Sequence, residues 1–445
     1  MIPLSIFVLN LIVQNWNLGK LILPGSDEGV YLYSAKLLDQ GLIPYKDFFL
    51  SHPPFLFFIA QILLRVFNYN INIFHLVYTI LVFLAIFPIY QITYKLTKDE
   101  LASLLSIILF STYPIFVNLD AHFFALRQFS ITLLAFSVFF LIVKEKNKLS
   151  GFLLGLFSLS VIPNIFISLS FIFSFLLIGY LYSGQKIKES QVFIKTWALV
   201  TIIGYLLIFL IPNSINNIIN YQLNRSFVTY ISRIESIKSG FLPLNWPIIL
   251  FGFLGSISAS KKLRIFGIFN ILSFLCIMSL GSSFHSHYLA ILSFGLSISS
   301  GLLVFSLKRF PVFKIFVFFI ILISLYITSF SYLKSKLIDE TTPEFFRLSE
   351  ALKDVPSPIF TYQPIYGLYN RKELTFHYHV ADMRYFSVIG HNLDKETYQD
   401  IINRSNSVLL TSFDFLSLPE NVFRDVNKNF KLIYNQDGNK VYIKN

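Results

Sequence analysis

The sequence predicts an α-helical polytopic membrane protein, with about 11 transmembrane helices followed by a small α/β domain. Three observations carry that prediction. Of the 445 residues, 55% belong to the set Ala, Val, Ile, Leu, Met, Phe, Trp, Tyr and Cys, only 13% are charged, and the mean hydropathy is +0.64. Soluble domains carry about 25% charged residues, and 51 Phe with 24 Tyr cannot all be packed into water-soluble cores of this length. Apolar stretches of membrane length recur as far as about residue 333, and after Lys334 the apolar runs shorten to strand length while charge becomes ordinary. A soluble secreted enzyme, a cytosolic dehydrogenase and a disordered chain are excluded.

A bilayer core takes roughly 20 apolar residues per helix. The expected spans lie near 2–16, 73–94, 100–117, 124–143, 149–162, 164–182, 192–211, 246–260, 265–281, 286–306 and 312–333, of which 149–162 and 246–260 are short for the task. The opening run from Met1 to Val13 lacks a basic flank and a small-residue cleavage site, so it reads as a first span or its truncated start and not as a signal peptide.

The net charge of +12 is unevenly placed. Residues 334–445 carry 14 basic and 14 acidic side chains, so the whole excess sits in 1–333. There the basic residues lie between apolar runs, which reports membrane orientation and not a nucleic-acid-binding face. With the amino terminus in the cytoplasm, the cytoplasmic connections hold 14 basic against four acidic residues and the opposite side eight against six. The positive-inside rule supports this orientation. An odd number of spans then puts the carboxyl-terminal domain outside the cytoplasmic membrane. In that domain, 358–362, 407–411, 430–434 and 440–443 read as strands, and 394–404 and 419–429 as helices. The expected division is 1–333, a transmembrane domain that includes a first outer loop over 17–72, and 334–445, an extracytoplasmic α/β domain. The lone cysteine, Cys276, rules out an intramolecular disulfide and a Cys-based metal cluster.

The polar residues that could do chemistry gather on the outer side. The loop 17–72 is far longer than a helix connection needs. It contains Asp27-Glu28-Gly29, then Gly41, Pro44-Tyr45, Asp47 and His52-Pro53-Pro54. Helical spacing of Val30, Tyr33 and Leu37, and of Phe55, Phe58 and Ile62, predicts two short helices at the membrane surface. Asp120 and His122 follow the third span, with Arg127 soon after; 213–245 is a second long outer loop carrying Arg225, Arg233 and Lys238; His285 and His287 open the tenth span. Each has a plain structural reading beside the functional one. An acidic pair at a helix start is a cap stabilised by the dipole, interfacial Arg snorkels to lipid phosphates, and interfacial His and Tyr anchor spans.

The pattern Asp27-Glu28, Gly41, Pro44-Tyr45, Asp47, His52-Pro53-Pro54 resembles the first outer loop of GT-C glycosyltransferases, in the branch of protein O-mannosyltransferases and lipid A aminoarabinose transferases. Span number, topology and an outer carboxyl-terminal domain are similar as well. Trp16, Trp197 and Trp246 are isolated, so the Trp-Trp-Asp motif of oligosaccharyltransferases is absent. The resemblance implies a polyprenyl-phosphate sugar donor, an inverting displacement and no nucleotide cofactor, with a lipid, glycan or protein acceptor. It implies Asp27 as general base, Glu28 as an orienting carboxylate and Asp120 as a second acidic group for acceptor or metal. His52 takes the place of a phosphate-contacting residue, with Arg225, Arg127 and His287 as further cationic candidates; no metal site is assigned. A transporter or flippase of lipid-linked sugars is the alternative from another class. It calls for charges inside the spans, which contain almost none. A catalytically dead scaffold is a third reading, against which the intact Asp27, Glu28, His52 and Asp120 argue.

Overall fold

A computed structural model describes residues 2–15, 27–112, 124–182, 187–224, 229–258, 264–279, 286–307, 310, 312, 314–323, 326, 341–361, 363–375, 401–411 and 420–445. The helices, numbered along the chain, are α1 (Ile2–Asn15), α2 (Asp27–Asp39), α3 (Phe55–Val66), α4 (Ile71–Phe83), α5 (Ile86–Thr97), α6 (Glu100–Thr112), α7 (Leu126–Ile142), α8 (Asn147–Ser158) and α9 (Pro163–Tyr182). They continue as α10 (Ile187–Phe209), α11 (Tyr230–Ser236), α12 (Leu242–Ser258), α13 (Ile265–Ser279), α14 (Leu292–Ser306), α15 (Lys314–Ile323), α16 (Thr341–Leu352), α17 (Pro364–Tyr369) and α18 (Glu420–Asn429). Two compact units result: Met1–Trp16, His75–Ile208 and Ser226–Ile338 form the first, and Asn17–Phe74, Phe209–Arg225 and Asp339–Asn445 the second. The connection 17–72 therefore packs in the same unit as the tail.

In the first unit, each apolar stretch expected to span holds a helix. Ile71–Thr97, Pro163–Leu181, Ser190–Phe209 and Tyr288–Ser306 are long and apolar enough to cross a membrane alone. The others are shorter, and 149–162 becomes the 12-residue α8, ended by a turn before Pro163 opens α9. Burial separates centre from rim: 89% of the Tyr288–Ser306 run is buried within the chain, but only 22% of Ser190–Phe209. The rim helix leaves Leu199, Ile202, Leu206 and Leu207 exposed, an apolar side suited to lipid. Close approach needs small residues, because apolar side chains gain little from meeting each other inside lipid. A Cβ built on Gly255 of α12 would lie 1.8 Å from the Ser299 carbonyl oxygen of α14. Many hydroxyls in these helices bond one turn back, as Ser106 does to the Ala102 carbonyl at 3.0 Å, and those enter the apolar interior satisfied. Asp99 caps α6 through the amides of Leu101 (3.0 Å) and Ala102 (3.2 Å), while its other oxygen takes Lys314.

The second unit holds a four-stranded sheet of β1 (Ile359–Phe360), β2 (Ser407–Leu410), β3 (Phe430–Gln436) and β4 (Asn439–Lys444) in the order β1-β2-β4-β3. β1 and β2 run parallel; the other neighbours are antiparallel. Asp437-Gly438, both at positive φ, turn the β3–β4 hairpin. The four expected strands are present, and the helix expected over 419–429 is seen as Glu420–Asn429; of the helix expected over 394–404, residues 401–404 are helical and 394–400 lie outside the described residues. Phe360, Ile401, Ile402, Val408, Leu410, Val426, Phe430 and Tyr442 form the core of this module.

Two expectations are corrected. The segment 213–245, expected as a long loop, is largely helical: 214–224 and 230–245 are helical, with π-turns at Asn216–Asn220 and Ile237–Phe241. Thr229 starts the second piece by accepting the Ser232 amide at 3.2 Å, and each π-turn is a single widened turn within a helical run. The two short helices of 17–72 do form, but their apolar sides differ. On α3, Phe58, Ile62 and Val66 are exposed, whereas on α2 Tyr33 and Leu37 are buried inside the second unit.

Candidate active site

The acidic pair opens α2, where the helix dipole favours carboxylates. Its two members part company at once. Asp27 is exposed and Glu28 is 2% exposed. One turn on, the Tyr31 hydroxyl donates to Asp27 Oδ2 at 3.4 Å. The Tyr31 ring meets His52 edge-on at 5.9 Å and Phe57 of α3 edge-on at 5.6 Å. Tyr31 therefore links Asp27 and His52 in one cluster, while Glu28 is buried.

His52 is held by its backbone. The Tyr45 hydroxyl donates to the His52 carbonyl oxygen at 2.8 Å, and Gln222 Nε2 donates to that of Ser51 at 3.4 Å. Tyr45 is fully buried at φ +68°, an uncommon conformation for a non-glycine residue. It is pinned there by its own amide, which donates to the Phe48 carbonyl at 2.9 Å. Asp47 closes the same loop by accepting the Ile43 amide at 2.8 Å through Oδ2. Phe49 packs edge-on against Tyr221 at 5.4 Å. Pro53 and Pro54 are buried, and Pro54 caps α3.

On the other side of α2, Tyr33, 1% exposed, accepts the Leu374 amide at 2.9 Å. Burial, with Glu373 adding to it and the Leu374 hydrogen bond opposing, pushes the phenol up to about 12. Lys36 donates to the Lys372 carbonyl at 3.1 Å, and burial lowers its pKa, with Glu373 opposing. Asp39, at the end of α2, accepts from Tyr69, whose phenol is pushed up by burial and by that carboxylate.

Of the other expected residues, Arg127 lies in the first unit at the start of α7, its guanidinium 3.6 Å from the centre of the Tyr288 ring. That is a cation–π stack. His287 belongs to the turn Ser286–Ile291 before α14, with its side chain outside the described residues. Asp120, Arg225 and His285 lie outside them altogether. Sequence reasoning gave no role to Tyr31, although its place four residues after Asp27 was the available signal. Arg233, named in the 213–245 segment without a role, is 1% exposed and donates to the Met278 carbonyl at 2.6 Å. Among the described residues, no group of three His, Cys, Asp or Glu side chains could hold a metal ion.

The apo ArnT of Cupriavidus metallidurans aligns with 99% of this chain and 97% of its own, at a TM-score of 0.73 and 12% identity. This chain has the ArnT-like GT-C membrane fold. The same ArnT bound to undecaprenyl phosphate matches at 0.69, also at 12% identity and with the same coverage. An Archaeoglobus fulgidus oligosaccharyltransferase in complex with Zn and sulfate matches at 0.53 and 13% identity, over 99% of this chain and 73% of that one. A family model described as dolichyl-phosphate-mannose-protein mannosyltransferase matches residues 51–215. No curated protein sequence matches significantly. The GT-C fold agrees with the resemblance read from the acidic pair and the Pro-Pro step, and its membrane-spanning helices agree with the composition.

Proposed function

We propose that this protein is a membrane glycosyltransferase that moves one sugar from a polyprenyl-phosphate donor to an acceptor hydroxyl, with inversion. The observation that carries the reading is the split within the acidic pair. Asp27 is exposed beside Tyr31 and His52, while Glu28 is buried behind it. Inversion in one displacement needs a carboxylate that can reach the acceptor oxygen and take its proton as the new bond forms. Only the exposed member of the pair can do that. Asp27 is the general base on this reading, and Glu28 holds the helix start. His52 meets the leaving phosphate, whose developing charge calls for cationic or hydrogen-bonding partners. Arg225, Arg127 and His287 are the further phosphate candidates, and Asp120 the second acidic group.

The undecaprenyl phosphate bound by the similar ArnT fold supports a lipid-linked donor. Apolar helix surfaces such as that of α10 suit an isoprenoid tail. We place the protein in the cytoplasmic membrane, with the Asp27 loop and the 334–445 domain outside and the acceptor a lipid, glycan or protein of the cell envelope. The transporter reading draws little from the packing. Among the described Asp, Glu, Lys, Arg and His side chains of the first unit, only His75 and Arg233 are buried.

The test compares wild type with Asp27→Asn in membranes given a panel of labelled polyprenyl-phosphate sugars. Label is followed into acceptors and into free sugar. We expect transfer or release by wild type and a loss of about 10²–10⁴-fold in the variant, the usual weight of a positioned base. Equal activity in both removes Asp27 from the mechanism, and labelled lipid that changes leaflet without release in either favours the transporter.

A further inference from the structure

α2 presents two faces that do different things. Gly29, Tyr33 and Lys36 recur at a spacing of four and three, so they lie along one side of the helix. All three meet the carboxyl-terminal module. A Cβ on Gly29 would fall 2.9 Å from both the amide nitrogen and Cβ of Ile365 in α17, so helix and helix start touch backbone to backbone. Tyr33 takes the Leu374 amide, and Lys36 donates to the Lys372 carbonyl. At about 100° per residue, Asp27 and Tyr31 fall roughly half a turn from Gly29, on the opposite side.

The surface that receives α2 is itself anchored. The Ile359 amide of β1 donates to the Glu373 carbonyl at 2.8 Å, and the Thr375 amide donates to that of Ile359 at 3.1 Å. The segment 372–375 is therefore an extra edge of the sheet β1-β2-β4-β3. Lys372 Nζ donates to the Val355 carbonyl at 2.7 Å, and the Lys372 amide to that of Gly367 at 2.8 Å. Backbone hydrogen bonds lead from the sheet to 372–374, and the Tyr33 and Lys36 side chains carry the run on to the helix that bears Asp27.

We infer that the carboxyl-terminal module is a positioning element for Asp27, acting through a seam in which Gly29, Tyr33 and Lys36 of α2 are fixed on Ile365, Leu374 and Lys372. The catalytic part of this inference rests on the glycosyltransferase reading; the docking part does not. Tyr33 and Lys36 are positioning residues that never touch substrate. They set the azimuth and height of α2, and with them the direction in which Asp27 faces Tyr31 and His52.

The test uses the full-length protein in detergent, as wild type, Tyr33→Phe, Lys36→Met and Lys36→Arg. Amide hydrogen exchange is followed at 31–34, whose N–H groups bond the first-turn carbonyls of α2, and at 364–375, with 292–306 of α14 as the internal control. We expect Tyr33→Phe and Lys36→Met to speed exchange at both sites and leave the control unchanged. Turnover of the polyprenyl-phosphate sugar should fall roughly three- to ten-fold, the weight of one buried hydrogen bond, at a donor KM within about two-fold. Lys36→Arg keeps a donor and should restore both readouts. Unchanged exchange at 31–34 overturns the seam. Faster exchange with full turnover, or no rescue by arginine, overturns the positioning role. If wild type itself transfers no sugar, the functional reading falls, and the exchange data alone still decide whether the module fixes the Asp27 turn.

Discussion

The two units hold themselves together by opposite means. In the first, helices meet through glycine and serine at close backbone approach, and many hydroxyls are satisfied within their own turn, as with Ser106, Ser111 and Ser300. In the second, side chains bond the backbone of segments hundreds of residues away. Lys36 reaches Lys372, Tyr33 takes the Leu374 amide and Arg371 donates to the Asn68 carbonyl. Steric fit carries the membrane part, and a few polar joins carry the part that presents the acidic pair. The first kind should fail by addition of atoms and the second by their removal.

The largest effect expected is at Gly255. Gly255→Leu places atoms where the Ser299 carbonyl oxygen lies, 1.8 Å from a Cβ, and should cost about 3 kcal/mol or more. Size-exclusion chromatography in detergent should show loss of the monodisperse species; a wild-type profile and melting curve would mean that α12 and α14 do not pack as described. Gly29→Ala sharpens the contrast because its sign is diagnostic. Helix propensity alone would stabilise α2 by about 1 kcal/mol, whereas overlap with Ile365 should destabilise by about 1–3 kcal/mol. A raised melting temperature would refute the tight seam.

Asp99→Ala should be milder. It removes the α6 cap and the partner of Lys314, for about 1–2 kcal/mol, and Asp99→Asn should recover part by keeping the capping oxygen. Equal melting temperatures for all three proteins would show the cap to be idle. The smallest effect is a pH dependence. Tyr33 has its pKa raised from 10.0 to about 12 by burial, so the folded state keeps a proton that the unfolded chain gives up. Its contribution to stability is whole below pH 10.0 and is lost as pH rises toward about 12. Melting curves across that range should fall less steeply for Tyr33→Phe, and parallel curves would exclude the phenol.

The first unit was legible in the sequence because lipid imposes one rule on every span, and length with composition expresses it. The strands over 358–362, 407–411, 430–434 and 440–443 were legible for a similar local reason, β-branched and aromatic runs ended by turn residues such as Asp437-Gly438. The acidic pair and the Pro-Pro step were visible as a motif. The difference in burial between Asp27 and Glu28 was not, since adjacent residues on a helix differ only by what packs on them. Tyr33 and Leu37 carried the spacing of an apolar stripe, and spacing cannot say whether lipid or protein will cover it. Here a sheet edge over 330 residues later in the chain does so for Tyr33. The helical character of 230–245 was hidden by Ser232, Ser236, Ser239, Gly240 and Pro243, residues that read as loop, and the segment includes the Thr229 cap and a π-turn that no periodicity announces.

The closed loop before His52 has a thermodynamic corollary. Tyr45 and Asp47 tie 43–52 back on itself through bonds that involve no ligand. Restricting a loop of that length costs about 1–2 kcal/mol of backbone entropy per residue, and the cost falls on folding. On the proposed reading, a phosphate arriving at His52 meets a surface already set, so its affinity is not diminished by ordering the protein. Loosening the tie, by Tyr45→Phe for instance, would move that entropy from folding to association.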